Sequence, residues 1–183
     1  MKGSAASAQV AEPYAEALMS LAKDSDLTDQ FGEDASGVIE SLQGSGELVG
    51  FLASPVYPAD RKKAVLKQLF EGKVQGHFLS FLQLLVDRQR VDCLEAVCQR
   101  YRELLREQKN IALAEVTSAV ELNDDQRNAV VEKVKGMTGA TDVELETLVD
   151  PSLIGGVVIK IGSQVVDASL RGQLRRISLD LAA

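Results

Sequence analysis

Aromatic residues are scarce in this 183-residue chain, which has no tryptophan and only eight phenylalanines and tyrosines, all at or before Tyr101. Histidine occurs once, as His77, and cysteine twice, as Cys93 and Cys98. These shortages argue against a histidine-based triad or a zinc centre, because both need several such groups close together. Five residues of helix rise about 7.5 Å, too far for a disulfide, so the two cysteines are predicted to be free, buried thiols.

Positive charge and long apolar runs are also in short supply. The formal net charge is −7 and the basic residues are scattered, which argues against binding to a nucleic-acid backbone. No apolar run reaches 18 residues, so the sequence predicts no helix across a bilayer. The start, MKGSAASAQVAEPY, lacks the apolar core of a secretory signal and the arginines of a transit peptide. We therefore expect any membrane association to come through a partner.

The motifs of common catalytic sites are missing as well. The sequence contains no GxxxxGK[ST], GxSxG or HExxH. Gly155 and Gly156 lead into a β-branched run rather than a helix, which favours close backbone packing or a bulge over a phosphate loop. His77 opens an apolar helix without a partner at local spacing. The prediction is a non-enzyme with no catalytic residues, cofactor or metal.

The two halves of the chain have different hydrophobic patterns. Before about residue 109 the apolar spacing is helical, whereas β-branched runs follow at 111–120, 143–149 and 156–162. We therefore predict an α+β protein with a six-helix bundle at 1–108 and a small mixed-sheet α/β domain at 109–183. The predicted bundle helices span 4–24, 27–43, 46–53, 59–71, 76–88 and 91–108.

Several local features refine this prediction. Pro13 indicates either a kink in the first helix or a firm start at that residue. In the second half, Asn123 and Gln126 form a capping-box pattern at the start of a helix, with Val130, Val134 and Met137 on one face. A short strand follows the 156–162 run, and the last helix is predicted to begin at Asp167 or Ser169.

Two helices of the first half have unusually wide apolar faces. In HFLSFLQLLVD (77–87) the apolar residues cover an arc of about 220°, twice the width that one core usually requires. In the first helix, a stripe of Val10, Tyr14, Leu18 and Leu21 adjoins a strip of small residues, Ala11, Ala15 and Ala22. This pattern fits either ordinary core packing or a groove for an amphipathic partner helix.

Three stretches of the sequence resemble a known family. They are VAEPYAEALMSLA (10–22), LVDRQRVDCLEAVCQRY (85–101) and VDPSLIGGVVIKIGSQVVDASLRGQL (149–174). The last contains the most specific signature, made up of Asp150, Leu153, Gly155, Gly156, Gly162, Asp167 and Ser169. With these residues the chain resembles the delta subunit of F-type ATP synthases, in its cyanobacterial and plastid branch. The mitochondrial equivalent is the oligomycin-sensitivity-conferring protein.

The resemblance implies a non-catalytic stator subunit that links the top of the α3β3 head to the peripheral stalk. The helical domain would bind the N-terminal helix of an α subunit through its first and fifth helices. Carried onto this sequence, that groove comprises Tyr14, Ala15, Leu18, Leu21, Phe78, Phe81, Leu82 and Leu85, some of which must serve the internal core instead.

The C-terminal domain would meet the b-type subunits of the peripheral stalk. Arg171, Arg175 and Arg176 either form a solvated face or contact the acidic stalk, while a stripe of Leu170, Leu174, Ile177 and Leu181 is expected to pack on the sheet. The implied location is the cytoplasmic or stromal face of a membrane, with the thylakoid expected. The alternative is a generic helix-binding scaffold or regulator outside any ATP synthase.

Overall fold

The computed structural model describes residues 5–174, and the chain divides into two compact units between Leu105 and Arg106. The division lies close to the predicted boundary after residue 108. The first unit is helical and the second contains a mixed four-stranded sheet, so the fold class is α+β.

The helical unit follows the predicted helix boundaries closely. Its last helix is preceded by a 3-10 turn at Val91–Cys93, where the sequence predicted an α-helix. The first helix starts well before Pro13 and continues through it, so the alternative of a start at Pro13 is wrong. The helices are α1 (Ala5–Asp24), α2 (Thr28–Gly44), α3 (Gly46–Ala53), α4 (Ala59–Phe70), α5 (Gly76–Asp87) and α6 (Leu94–Lys109).

A cluster of aromatic rings forms the centre of the helical unit. Phe31, Phe78 and Tyr101 are fully buried, and the Phe31 and Phe78 rings meet edge to face with centroids 5.5 Å apart. The Tyr101 hydroxyl donates a hydrogen bond to the Thr28 carbonyl oxygen at 2.9 Å. A buried hydroxyl without a partner would be costly, so this bond lets Tyr101 serve as a core residue.

The second unit is built on a sheet with strand order β2-β1-β3-β4. β1 and β2 run parallel, whereas β3 is antiparallel to both β1 and β4. The residues after β4 become helical at 170–174. The elements are β1 (Ile111–Ser118), α7 (Asp124–Thr138), β2 (Asp142–Val149), a 3-10 turn (Pro151–Leu153), β3 (Val157–Ile161) and β4 (Gln164–Asp167).

Helix α7 begins as the sequence predicts and covers one face of this sheet. The Asn123 side chain accepts from the Gln126 amide, and the Gln126 side chain accepts from the Asn123 amide, which confirms the capping box. Val130 and Val134 are buried in a core shared with the sheet. Met137 lies on the same side of α7 by its spacing but is 46% exposed. It lies in the last turn of α7, and the small core ends at Val134.

Candidate partner-binding surfaces

The residues predicted to form a helix-binding groove are mostly interior to the helical unit. Tyr14 and Leu21 are half-buried, and Phe81 is nearly enclosed. The remaining five have no exposed surface and pack into the hydrophobic core: Ala15, Leu18, Phe78, Leu82 and Leu85. The proposed contact surface is therefore corrected to exclude these five, because each is already covered by its own neighbours.

The wide apolar face of α5 is explained by this division. The centre of its arc, around Phe78, Leu82 and Leu85, faces the core. Only the two edges reach the surface, with Leu79 half-buried at one edge and Leu84 44% exposed at the other. Periodicity measured the width of the apolar arc correctly but could not show that its centre is internal. The edge residues were missed for that reason.

Helix α1 divides in the same way. Ala11, Ala15, Leu18 and Ala22 are buried against the rest of the unit. Val10, Tyr14 and Leu21 lie together on one side of this buried stripe, at about 0°, 40° and 20° around the helix, and are all half-buried. We call this set the α1 strip. It leaves part of three sizeable side chains accessible to a partner.

The cysteines and His77 offer no reactive centre. Cys93 and Cys98 are not joined in a disulfide and are both buried, as the sequence predicts. Burial, aided by the nearby Glu95 charge, raises the pKa of the Cys98 thiol to about 12, so it stays protonated and unreactive near neutral pH. His77 is exposed at the first turn of α5. Within residues 5–174, no group of three or more metal-ligating side chains comes together.

Partly buried polar groups in the helical unit link neighbouring helices. The Asp34 carboxylate on α2 accepts from the Gln75 amide at 2.9 Å, at the start of α5. Desolvation raises the pKa of Asp34, with that backbone hydrogen bond opposing the rise. A cavity of 340 Å³ lies between the α3–α4 loop and the start of the Val91–Cys93 turn. Lys62 lines it, but its ammonium group donates to the Leu52 carbonyl at 2.6 Å.

The C-terminal signature begins as a capped turn at the end of β2. The Asp150 amide donates to the Ser118 carbonyl at 2.7 Å, tying the turn to the end of β1. The Asp150 carboxylate accepts from the backbone and the hydroxyl of Ser152, and the backbone bond in particular lowers its pKa. Leu153 is buried. These residues therefore have structural roles that follow from hydrogen bonding and packing.

The paired glycines allow two backbone segments to meet. Gly156 has a φ of +76°, and a Cβ placed there would lie 2.3 Å from the Ala168 carbonyl oxygen. Only glycine fits here, because other residues rarely adopt this positive φ and their Cβ atom would collide with the carbonyl oxygen. Around Gly155 the segments are joined by a hydrogen bond from the Leu170 amide to its carbonyl, at 2.9 Å. Close backbone packing was thus the right alternative for Gly155 and Gly156.

Two further signature positions shape the end of the domain. Gly162, with a φ of +56°, is the first residue of the two-residue turn between β3 and β4. The Ser169 hydroxyl accepts from the Gly172 amide at 3.0 Å, so Ser169 is the N-cap of the helical segment 170–174. Asp167 in turn accepts from the Ser169 amide and hydroxyl. The choice between Asp167 and Ser169 as helix start is settled in favour of Ser169.

The residues assigned to the stalk are only partly described. Arg171 is exposed and donates to the Ser152 hydroxyl at 3.0 Å, while Arg175, Arg176, Ile177 and Leu181 lie outside the described residues. Leu170 and Leu174 are 46% and 58% exposed, which contradicts the expectation that their stripe packs on the sheet. The sheet unit thus carries an apolar surface beside a cation. No sequence argument had assigned its leucines to a partner.

The described residues therefore define a class of protein rather than a reaction. They form a helical unit and a sheet unit with partly exposed apolar side chains. None of their helices is both long and apolar enough to cross a membrane. Exposed apolar side chains of this kind are typical of proteins that bind other proteins.

Comparison with known proteins gives the family. Residues 10–181 match the family described as ATP synthase delta (OSCP) subunit. ATP synthase subunit delta of Thermosynechococcus vestitus is 63% identical over 174 residues, covering 95% of this chain and 94% of that protein. The corresponding subunit of Acaryochloris marina is 55% identical over 183 residues, covering 100% and 99% of the two chains.

A solved structure shares the fold. A chain in the cryo-EM structure of the Toxoplasma gondii mitochondrial ATP synthase hexamer superposes with a TM-score of 0.71 at 22% identity, covering 94% of this chain and 97% of the other. From the sequence matches, this chain belongs to the ATP synthase delta (OSCP) subunit family, whose members are non-catalytic components of the peripheral stalk. The predicted resemblance is confirmed, and a generic scaffold outside ATP synthase is not favoured.

Proposed function

We propose that this chain joins the top of the α3β3 head to the peripheral stalk and so keeps the head from turning with the central shaft. In this proposal the helical unit is the six-helix bundle of the family and binds the N-terminal helix of an α subunit. The sheet unit binds the b-type stalk subunits. Attachment to the membrane, in a thylakoid on its cytoplasmic or stromal face, is then wholly through these partners.

The partial exposure of apolar side chains on α1 and α5 is the observation that supports head binding. The α1 strip (Val10, Tyr14 and Leu21) and Leu84 remain accessible after the core is complete. An amphipathic helix laid on such residues would remove apolar area from water, a gain that depends little on salt. This surface replaces the groove of buried residues inferred from the sequence.

Holding a head against torque requires durable contacts rather than chemistry. Slow dissociation comes from well-buried apolar contacts, because differences in affinity arise mainly in the dissociation rate. A subunit attached to both head and stalk also gains from tethering, since a contact that opens is held close to its partner and re-forms locally. Two binding surfaces on one chain supply both properties without an active site.

A binding experiment with an α-subunit peptide tests the head contact. The probe is a synthetic peptide of the N-terminal segment of a cyanobacterial α subunit, titrated against the full chain by calorimetry. Tyr14→Asp and Leu84→Asp should each weaken binding by about tenfold or more, because a carboxylate would be placed in the apolar contact. Both side chains are partly exposed, so the variants should remain folded.

Leu69→Asp is the matched control. Leu69 is an exposed leucine of the same unit, at 37%, but it lies on α4. Its variant should bind like the parent. If Tyr14→Asp and Leu84→Asp also bound the peptide as tightly as the parent, the assignment of this surface to the α subunit would be wrong.

A further inference from the structure

The first half of helix α1 is held in place by little buried side-chain surface. Among residues 9–17 only Ala11 and Ala15 are buried, while the larger buried side chains, Leu18 and Met19, come later in the helix. Alanine lets helices approach closely but offers few side-chain atoms to interlock with a neighbour. These contacts alone resist rotation of α1 about its axis only weakly, and such a rotation would change how far the α1 strip faces outward.

Pro13 constrains this part of the helix less than another residue would. Because proline has no backbone N–H, it cannot donate to the carbonyl oxygen of Gln9, and one hydrogen bond of α1 is missing at this turn. Val10 lies before the missing bond and Tyr14 directly after Pro13. Two of the three members of the α1 strip thus stand where α1 has the fewest bonds of its own.

A two-point ion pair joins the same part of α1 to α6. Arg100 donates from Nε to one carboxylate oxygen of Glu12 at 2.7 Å and from Nη2 to the other at 2.9 Å. Its Nη1 donates to Glu103, one turn further along α6, at 2.9 Å. The Arg100 side chain is 26% exposed, so water screens the pair only in part. Parallel bonds from a planar guanidinium to both carboxylate oxygens fix the orientation of Glu12 as well as its distance.

Glu12 is placed where such a bond controls the rotation of α1. On the angular count used above, the α1 strip lies between about 0° and 40°, the buried Ala11 and Ala15 at about 100° and 140°, and Glu12 at about 200°. The ion pair and the strip are therefore on opposite sides of the buried alanines. A bond that fixes Glu12 against α6 thus also fixes the angle at which Val10 and Tyr14 are presented.

We infer that Arg100 and Glu12 form an orientation clamp for head binding: the pair positions the α1 strip for the α-subunit helix without contacting that helix. The inference rests on the proposed function, to which it adds two positioning residues. A protein that populates its binding-competent arrangement only in part loses affinity in proportion. Loss of the clamp should therefore weaken binding while the fold stays intact, since an ion pair with this exposure contributes little to stability.

The test measures peptide affinity, Tm and the surroundings of Tyr14 in the same variants of the full chain. Arg100→Gln and Glu12→Gln should each bind the α-subunit peptide about three- to fivefold more weakly by calorimetry, with a Tm close to that of the parent. In protein labelled with fluorotyrosine, the fluorine NMR signal of Tyr14, assigned with Tyr14→Phe, should shift or broaden in both variants. The signal of Tyr57, from the loop between α3 and α4, should keep its position.

The double variant separates a clamp from direct contacts with the peptide. If the two residues act through one pair, Arg100→Gln combined with Glu12→Gln should bind within about twofold of either single variant. Additive losses would show that each residue touches the peptide by itself and would overturn the clamp. Lys160→Gln is the matched control, because Lys160 pairs with Glu115 on a neighbouring strand of the sheet unit, at 2.8 Å. It should bind like the parent.

Failure of the clamp and failure of the proposed function give different results. Absence of peptide binding by the parent would contradict head binding itself, and the clamp with it. Parent-like affinity of both single variants would overturn only the clamp. A Tm that falls together with the affinity would also overturn it, because the pair would then be an ordinary support of the fold.

Discussion

The two units of this protein differ in how fully they bury their apolar side chains. Among the described residues, the helical unit encloses a large core with phenylalanine and tyrosine rings at its centre. Among the described residues of the sheet unit, the main buried cluster comprises Ala114, Val116, Val130, Val134 and Ile159, and many large apolar side chains are exposed. The helical unit buries most of its apolar side chains by itself, whereas the sheet unit leaves more of them exposed.

This difference follows from the residues available to each unit. A four-stranded sheet with one helix on it covers one face, and aliphatic side chains alone fill a thin layer. Aromatic rings bury more area each and allow several helices to share one core. The comparison teaches that apolar content alone does not reveal a binding surface. In the helical unit most of it is internal, while in the sheet unit more of it is accessible.

The largest expected effect distinguishes buried from exposed leucines of one helix. Leu82→Ala removes a fully buried side chain of α5 and should destabilise the helical unit by about 2–5 kcal/mol. Leu84→Ala, two residues away, should change stability by no more than about 1 kcal/mol. Chemical denaturation followed by tyrosine fluorescence measures both, because every tyrosine lies in the helical unit. Equal losses would contradict the division of α5 into core and surface.

A second comparison concerns two glycines of the sheet unit. Gly156→Ala should destabilise this unit by about 2–4 kcal/mol, because the added Cβ meets the Ala168 carbonyl and the backbone conformation disfavours it. Gly136→Ala, inside α7 with open space around it, should stabilise by about 0.5–1 kcal/mol. Hydrogen exchange of peptides from β1 and β3 gives the readout. A tolerated Gly156→Ala would show that the two segments do not pack as described.

The smallest effect is a difference in pH dependence between the units. The pKa values of Cys98 and Tyr101 are raised mainly by burial, so the unfolded state loses these protons first as pH rises above about 9. The helical unit should therefore lose stability at alkaline pH, at up to about 1.4 kcal/mol per pH unit for each group. Cys98→Ala should make that decline shallower in denaturation followed by helical circular dichroism; an unchanged slope would contradict the burial of the thiol.

The sheet unit should respond on the acid side instead. Hydrogen bonds from the Val143 backbone and Lys135 lower the pKa of Asp142, and those from Ser152 lower that of Asp150. Their stabilisation is present above the unfolded pKa and is lost as pH falls through the lowered folded pKa. Asp34 in the helical unit shifts upward and does not share this dependence. As pH is lowered, hydrogen exchange should show that β2 opens at a higher pH than the pH at which the helical circular-dichroism signal is lost.

Local patterns predicted the elements well because their causes are local. The capping box at Asn123 depends on residues three apart, and helix ends at glycine and proline depend on backbone preferences of single residues. Spacing alone did not show that Met137, on the same side of α7 as Val130 and Val134, lies past the end of the core. It also failed for the stripe containing Leu170 and Leu174, whose cover depends on other parts of the chain.

The sequence by itself determined the helical and mixed-sheet halves, the absence of familiar catalytic motifs, and the signature that places the chain in its family. Only the tertiary structure decided that Leu82 is internal while Leu84 is accessible, and that Ile154 is an exposed side chain on an unfavourable backbone. The physical reason is that periodicity specifies which side of a helix is apolar, whereas exposure depends on which neighbours the rest of the chain places against that side.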